Sequence, residues 1–210
     1  HERLEQDVLD SADMIIVTSP HTGREFASKS KTPIQVITNG FDIKTASTTR
    51  QPDGAFTLSH VGTLLSDRNP IILWEVLADL CHDDTSFQAI LQLQLAGNVS
   101  DEVLESIRQY GLDVNLKKLG YLNHQDAVDV MFNSQCLLLI EIDSNDTKAI
   151  IPGKIFEYFA SGRPIIAIGP KEADIENLIQ HTHSGRYFNY LEKQSLKNHI
   201  LEKYELYKNG

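Results

Sequence analysis

Two cysteines in 210 residues, Cys81 and Cys136, are too few for a disulfide framework. One falls in a predicted helix and the other in a predicted buried strand. Both are therefore expected to be buried thiols in a reducing compartment. No apolar run approaches the roughly 18 residues of a membrane span, and no signal peptide is visible, which points to the cytoplasm. Basic residues are scarce: 19 Lys and Arg stand against 29 Asp and Glu, for a formal net charge of −10. Nucleic-acid binders more often carry a basic face, so no nucleic-acid partner is expected, although a local basic pocket is still allowed. Several catalytic signatures are missing as well. No GxGxxG follows the first strand and no GxxxxGK[ST] occurs, which excludes a dinucleotide fingerprint and a P-loop. There is no CxxC, GxSxG or HExxH. The chain opens on His1-Glu2-Arg3 without an initiating Met, inside what reads as a helix, and is expected to be a piece of a longer protein.

What is present is an ordinary globular composition, 41% apolar and 23% charged, long enough to bury a real core. Residues 1–40 read as a small βα unit. Leu4, Val8 and Leu9 give a helical face, and Met14 to Val17 is a short apolar run fit for a parallel strand. Ser19-Pro20 starts a helix over 20–29, and Ile34 to Ile37 forms a second strand closed by Asn39-Gly40. Residues 41–55 are polar and turn-rich, and read as a linker. From Phe56 strands and helices alternate six times. Strands are expected over 56–61, 87–95, 114–119, 136–141, 164–168 and 186–188. Helices are expected over 70–81, 101–110, 124–133, 153–161, 172–180 and 192–207. This alternation predicts an α/β fold, a doubly wound parallel sheet with helices on both faces. Ser100 and Asn123 stand where N-caps belong, and Leu196, Ile200, Tyr204 and Tyr207 form a docking face on the last helix.

In such a sheet, ligands bind beyond the C-terminal strand ends. Three segments converge there: His60-Val61-Gly62 with the loop to Arg68, Leu119 to Leu122, and Glu141-Ile142-Asp143 with the long loop to Pro152. Gly62 would let backbone approach a ligand, and Arg68 would pair with a phosphate. The plainer reading of both is a turn and a solvated side chain. Pro152-Gly153 opens a helix whose N-terminus is an anion site, with Lys154 and Glu157 one turn apart on it. Lys154 adds a charge for phosphate, and Glu157 suits ribose hydroxyls; otherwise the two are a surface ion pair. Glu141, Asp143 and Asp146 read as a solvated acidic loop at the pocket mouth, with a metal site the less favoured alternative. His181-x-His183 lacks a third ligand nearby, and no metal is expected. His60 reads as a core or pocket-rim histidine, and His21, after a strand end, as a candidate functional residue.

Six segments in order carry a family resemblance: Ala12 to Ser19 (ADMIIVTS), Val36 to Asp42 (VITNGFD), Val61 to Pro70 (VGTLLSDRNP), Leu95 to Gly97 (LAG), Leu119 to Leu122 (LGYL) and Pro152 to Ala167 (PGKIFEYFASGRPIIA). Together they resemble the C-terminal half of GT-B glycosyltransferases, most of all the retaining bacterial group called family 4 or "group 1". The resemblance implies that 1–40 is the remnant of an N-terminal acceptor-side domain, 41–55 the linker, and 56–210 the domain that binds a nucleoside diphosphate sugar. It implies transfer of a hexose or amino sugar to a polysaccharide or lipid-linked oligosaccharide, without a metal or other cofactor. It also implies work in the cytoplasm, at the inner face of the membrane for an enzyme that associates with it peripherally.

By resemblance, Arg68 and Lys154 serve the diphosphate as catalytic groups, and Gly62 and Thr63 line it. Glu157 matches the second glutamate of the family's E-x₇-E motif, on ribose, and Tyr121-Leu122 matches backbone on the base. Two positions depart from the pattern. The first motif glutamate falls on Ala149, so Asp143, Asp146 or backbone at Ile150 and Ile151 is expected to meet the donor sugar. Thr63 stands where the family has its second basic residue. Ala149 also favours a rival reading, a non-catalytic GT-B-like domain that binds a nucleotide or a partner. A sugar-nucleotide epimerase of the same fold is a third, but its catalytic acids and histidines are not recognisable.

Overall fold

The computed structural model describes residues 2–40 and 54–209. Most of the expected linker, 41–53, lies outside the described residues. The first unit comprises α1 (Glu2–Ser11), β1 (Ile15–Val17), α2 (Pro20–Lys29) and β2 (Ile34–Val36). β1 and β2 pair in parallel, Ile15 opposite Ile34. Ser19 caps α2, its hydroxyl accepting the Thr22 N–H at 3.3 Å, with Pro20 at the helix start as predicted. The expected helical face is corrected in part: only Leu9 joins the small core of Ile15 and Val17, while Leu4 and Val8 are exposed. A two-stranded sheet offers α1 a narrow strip to cover, so one of its three apolar positions is enough.

The main sheet has six parallel strands in the order β5-β4-β3-β6-β7-β8. These are β3 (Phe56–Val61), β4 (Leu91–Ala96), β5 (Leu116–Gly120), β6 (Cys136–Ile140), β7 (Ile165–Gly169) and β8 (Gly185–Asn189). Their crossovers carry α3 (Ile71–Asp83), α4 (Thr85–Ile90), α5 (Asp101–Gln109), α6 (His124–Asn133), α7 (Lys154–Ser161) and α8 (Asp174–Thr182), and α9 (Lys193–Asn209) closes the chain. β6 and β7 are buried along their whole length because helices cover both faces. Side chains alternate between two cores. Leu138, Ile140, Ile166 and Ile168 join Phe56, Trp74 and Tyr204 on one face, while Leu137, Leu139, Ile165 and Ala167 join Ile155, Tyr158 and Ile175 on the other.

The docking face of α9 is borne out: Leu196, Ile200 and Tyr204 are buried, and Tyr204 meets Phe87 edge-on at 5.0 Å between ring centres. Such a ring pair adds about 0.5–1.5 kcal/mol beyond area burial. Cys81 and Cys136 are buried free thiols. The strand expected from 87 starts only at Leu91. Residues 85–90 are helical because Asp84 accepts the Ser86 N–H at 2.7 Å, opening a short turn that buries Phe87. Asn123 caps α6 as expected, accepting the Asp126 N–H at 3.0 Å, whereas the Ser100 side chain makes no cap bond. Among the described residues no helix is long and apolar enough to cross a membrane.

Candidate functional site

The strand order reverses between β3 and β6, so the crevice beyond their C-terminal ends is where a ligand fits a doubly wound sheet. The turn after β3 is set by backbone. Gly62 has φ +126° and donates its N–H to Ala96 O at 2.8 Å. Gly97, after β4, has φ +117°, and a Cβ there would fall 2.4 Å from Gly62 O. Only glycine fits that crossing, and it lets the two turns lie against each other.

Helix α7 aims two side chains into the crevice. Tyr158 fixes the helix: its buried hydroxyl accepts the Val61 N–H at 3.1 Å and donates to Leu138 O at 3.3 Å, tying α7 to β3 and β6 together. Lys154, on the first turn, reaches the Gly62 turn, where its Nζ lies 3.5 Å from the position a Cβ on Gly62 would take. No side chain caps the start of α7, where Gly153 stands. Glu157, one turn on, lies at the other wall, 3.7 Å from His124 Nδ1 at the start of α6. His124 directly follows the loop of Tyr121 and Leu122. The surface ion pair between Lys154 and Glu157 is not formed; each has a different neighbour.

Arg68 ends a short helical turn over Ser66–Arg68, and its side chain is 29% exposed rather than solvated. Asn69 anchors that turn, donating to Ser106 Oγ at 2.8 Å and accepting from Trp74 Nε1 at 2.7 Å. Arg68 Nη2 lies 3.8 Å from Glu141 Oε2. Glu141 is buried, which corrects the reading of it as part of a solvated loop; Asp143 and Asp146 are exposed. Burial pushes the Glu141 carboxyl up, against the pull of Arg68 and Lys154. Burial likewise pushes Lys154 down to about 8, with Glu141 opposing and Arg68 reinforcing the shift. His60 is fully buried, its Nδ1 3.1 Å from Leu138 O, and burial followed by the Lys154 charge holds it well below the usual histidine range. The crevice thus gathers two basic side chains, Arg68 and Lys154, one buried acid and a neutral imidazole.

The predicted residues divide accordingly. Lys154 lies against the Gly62 turn and Arg68 is near enough to act on its charge, with exposed Thr63 following Gly62. Glu157 sits at the other wall beside the loop of Tyr121, which is 93% exposed, and half-buried Leu122. Asp143 instead lines a neighbouring cleft of about 420 Å³ with Lys148, Pro170 and Tyr190. The Asp146 N–H donates to Ser144 Oγ of the same loop at 3.2 Å. Ile150 is exposed, and Ile151 packs against the second core. Among the described residues no three His, Cys, Asp or Glu are grouped to hold a metal ion. His181 Nδ1 lies 2.7 Å from Asn177 O of its own helix.

Three contributors were not legible beforehand. Gly97 read only as the end of the Leu-Ala-Gly segment after a strand. Tyr158 read only as part of a motif. Asp174, the first residue of α8, is buried and accepts the His21 N–H at 2.6 Å, with Arg24 Nη2 at 3.6 Å from its other oxygen. It thus caps α2 across the chain, and its own N–H donates to Lys148 O in the loop before α7. His21 contributes through its backbone.

No protein-family model and no curated protein matches the chain. Solved structures do. The crystal structure of Anabaena Alr3699/HepE in complex with UDP matches with a TM-score of 0.71 at 20% identity, covering 97% of this chain and 57% of that one. WaaG, a glycosyltransferase involved in lipopolysaccharide biosynthesis, gives 0.70 at 14% identity over 96% of this chain and 57% of its own. Sucrose-phosphate synthase (tll1590) from Thermosynechococcus elongatus gives 0.66 at 17% identity, covering 97% and 52%. The chain spans little more than half the length of these proteins. Its main sheet and flanking helices have the fold of the Rossmann-like C-terminal half of GT-B glycosyltransferases.

Proposed function

We propose that this chain contains the donor-binding half of a glycosyltransferase that uses a nucleoside diphosphate sugar. The observation that carries the reading is Lys154 against the Gly62 turn with Arg68 and Glu141 acting on its charge, and Glu157 on the same helix beside His124, after the Tyr121–Leu122 loop. This reading puts diphosphate at the first wall and ribose and base at the second. Stabilising the leaving diphosphate asks for fixed positive charge and positioning, which Arg68, Lys154 and the α7 N-terminus supply without a metal. The HepE structure was solved with UDP, which makes UDP the first nucleotide to test.

In this reading residues 56–210 form the donor domain, 1–40 belong to the acceptor-side domain, and 41–55 join them. The whole enzyme transfers a hexose or amino sugar, with retention, to a polysaccharide or lipid-linked acceptor, in the cytoplasm or on the inner membrane face. The donor sugar lies toward the loop of Asp143, Asp146, Ile150 and Ile151. Thermal unfolding with UDP, GDP, ADP and CMP tests the reading. One nucleoside diphosphate at 100 times its Kd stabilises by about 2.7 kcal/mol, an upward shift of about 5–10 °C, and Glu157→Ala cancels most of it. No shift with any of them refutes the reading.

A non-catalytic nucleotide-binding domain is the second reading, and Ala149 favours it, since no carboxylate stands there to meet the donor sugar. Donor consumption by the longer protein separates the two: binding without turnover supports the second.

A further inference from the structure

Glu141 follows β6 directly, and its backbone is fixed from two sides. Its N–H donates to Ile168 O at 2.8 Å, and its carbonyl accepts from the Tyr190 hydroxyl at 2.7 Å. Its side chain is 3% exposed, and neither carboxylate oxygen has a hydrogen-bond partner among the described residues. A buried carboxylate in that condition is costly unless opposite charge accompanies it. Arg68 Nη2 at 3.8 Å does so, and its own buried Nε is also without a hydrogen-bond partner. Lys154 acts on Glu141 from the start of α7.

We propose that Glu141 is a positioning residue of the phosphate site: a buried counter-charge that holds Arg68 and Lys154, both cationic, beside the Gly62 turn. The purpose of that arrangement rests on the donor-site reading above; the electrostatics do not. Without Glu141, two like charges share one enclosed crevice. The guanidinium keeps its proton in any setting, so Lys154 is the group that yields. The other titratable or charged groups acting on this cluster do not replace the missing charge. His60 from β3 is held neutral by burial and the nearby cations. Tyr187 and Tyr190 are held neutral mainly by burial. Asp67, in the turn before Arg68, and Asp143 are exposed, so water screens them.

The test follows the Lys154 side chain directly, by NMR titration of protein labelled with ¹³C-lysine, the resonance assigned by Lys154→Arg. Lys154, pushed down to about 8 by burial, is expected to titrate there in the unmutated protein. In Glu141→Gln the midpoint falls by about one pH unit or more, and Glu141→Asp brings most of it back. Equal midpoints with Glu and Gln overturn the proposal. In the unmutated protein the same resonance also registers the ionisation of Glu141 as a second, smaller step, a measurement that needs no variant; a single-step curve equally overturns it. UDP titrations across pH add the functional readout: the alkaline loss of affinity moves to lower pH in Glu141→Gln by the same amount as the lysine midpoint. A protein that binds no nucleoside diphosphate, yet whose Lys154 responds to Glu141, refutes the donor-site reading and upholds this one. A UDP-binding protein whose Lys154 ignores Glu141 does the reverse.

Discussion

Replacing Lys154 with Met should make the protein more stable while removing the cation proposed to meet phosphate. The ammonium is enclosed beside Arg68, and its pKa falls from 10.5 to about 8. Keeping it charged in the folded chain at neutral pH therefore costs about 3 kcal/mol. Met has nearly the same length and no charge. Removing the cation leaves Glu141 with Arg68 alone, which returns part of the gain, although burial already favours the protonated carboxyl. The net expectation is about 1–2 kcal/mol of added stability at pH 7, set by the difference between these two terms. The sign with pH is fixed. The unfolded chain holds the lysine proton up to 10.5 and the folded chain only to about 8, so between those values the unfolded state binds more protons and the stability of the unmutated protein rises with pH. The advantage of Lys154→Met therefore shrinks above pH 8. Urea unfolding followed by circular dichroism reads this out: the midpoint rises by about 0.5 M at pH 7 and by less at pH 9.5. A variant less stable than the parent at pH 7, or an advantage unchanged by pH, refutes the reasoning.

Three further substitutions probe the scaffold of the crevice. Gly97→Ala places a Cβ 2.4 Å from Gly62 O at φ +117°, so a loss of about 2–4 kcal/mol in urea unfolding is expected, and the proposed nucleotide binding is expected to go with it. Tyr158→Phe leaves the Val61 N–H without its acceptor while Leu138 O keeps its contact with His60, and should cost about 1–3 kcal/mol in the same assay. Asp174→Ala removes the carboxylate that caps α2 across the chain. Hydrogen exchange of the His21 amide should accelerate at least tenfold, about 1.4 kcal/mol, with little change for amides of β6 and β7.

The order of elements was legible because parallel strands buried on both faces read as continuous apolar runs, such as Leu137 to Ile140 and Ile165 to Ile168. The strand ends were legible for the same reason, and they carried Gly62, Arg68 and Lys154 into one crevice. Residues 87–90 were misread because Phe87 and Ile90 continue the apolar alternation of β4, while the cap that makes them helical rests on one side-chain bond from Asp84. The fate of Lys154 and Glu157 was ambiguous for a physical reason: i, i+3 spacing places two residues near one face, and which wall each meets depends on neighbours far away in sequence. Glu141 was hidden by its position. An acid after an apolar strand reads as the first solvated residue of a loop; its burial comes from segments distant in sequence, with Ile168 and Tyr190 bonded to its backbone and Arg68 beside its carboxylate. Gly97 and Asp174 act through contacts with Gly62 and His21 that no local pattern announces.

Titration of ¹⁵N-labelled protein with UDP, following backbone amide shifts, tests the central claim most directly. The account predicts that the largest changes fall on Gly62, Thr63, Gly153 and Lys154 at one wall and on Tyr121, Leu122 and Glu157 at the other, saturating together with one dissociation constant. Changes confined to the cleft of Asp143 and Tyr190, or no saturable change with any nucleoside diphosphate, would contradict it.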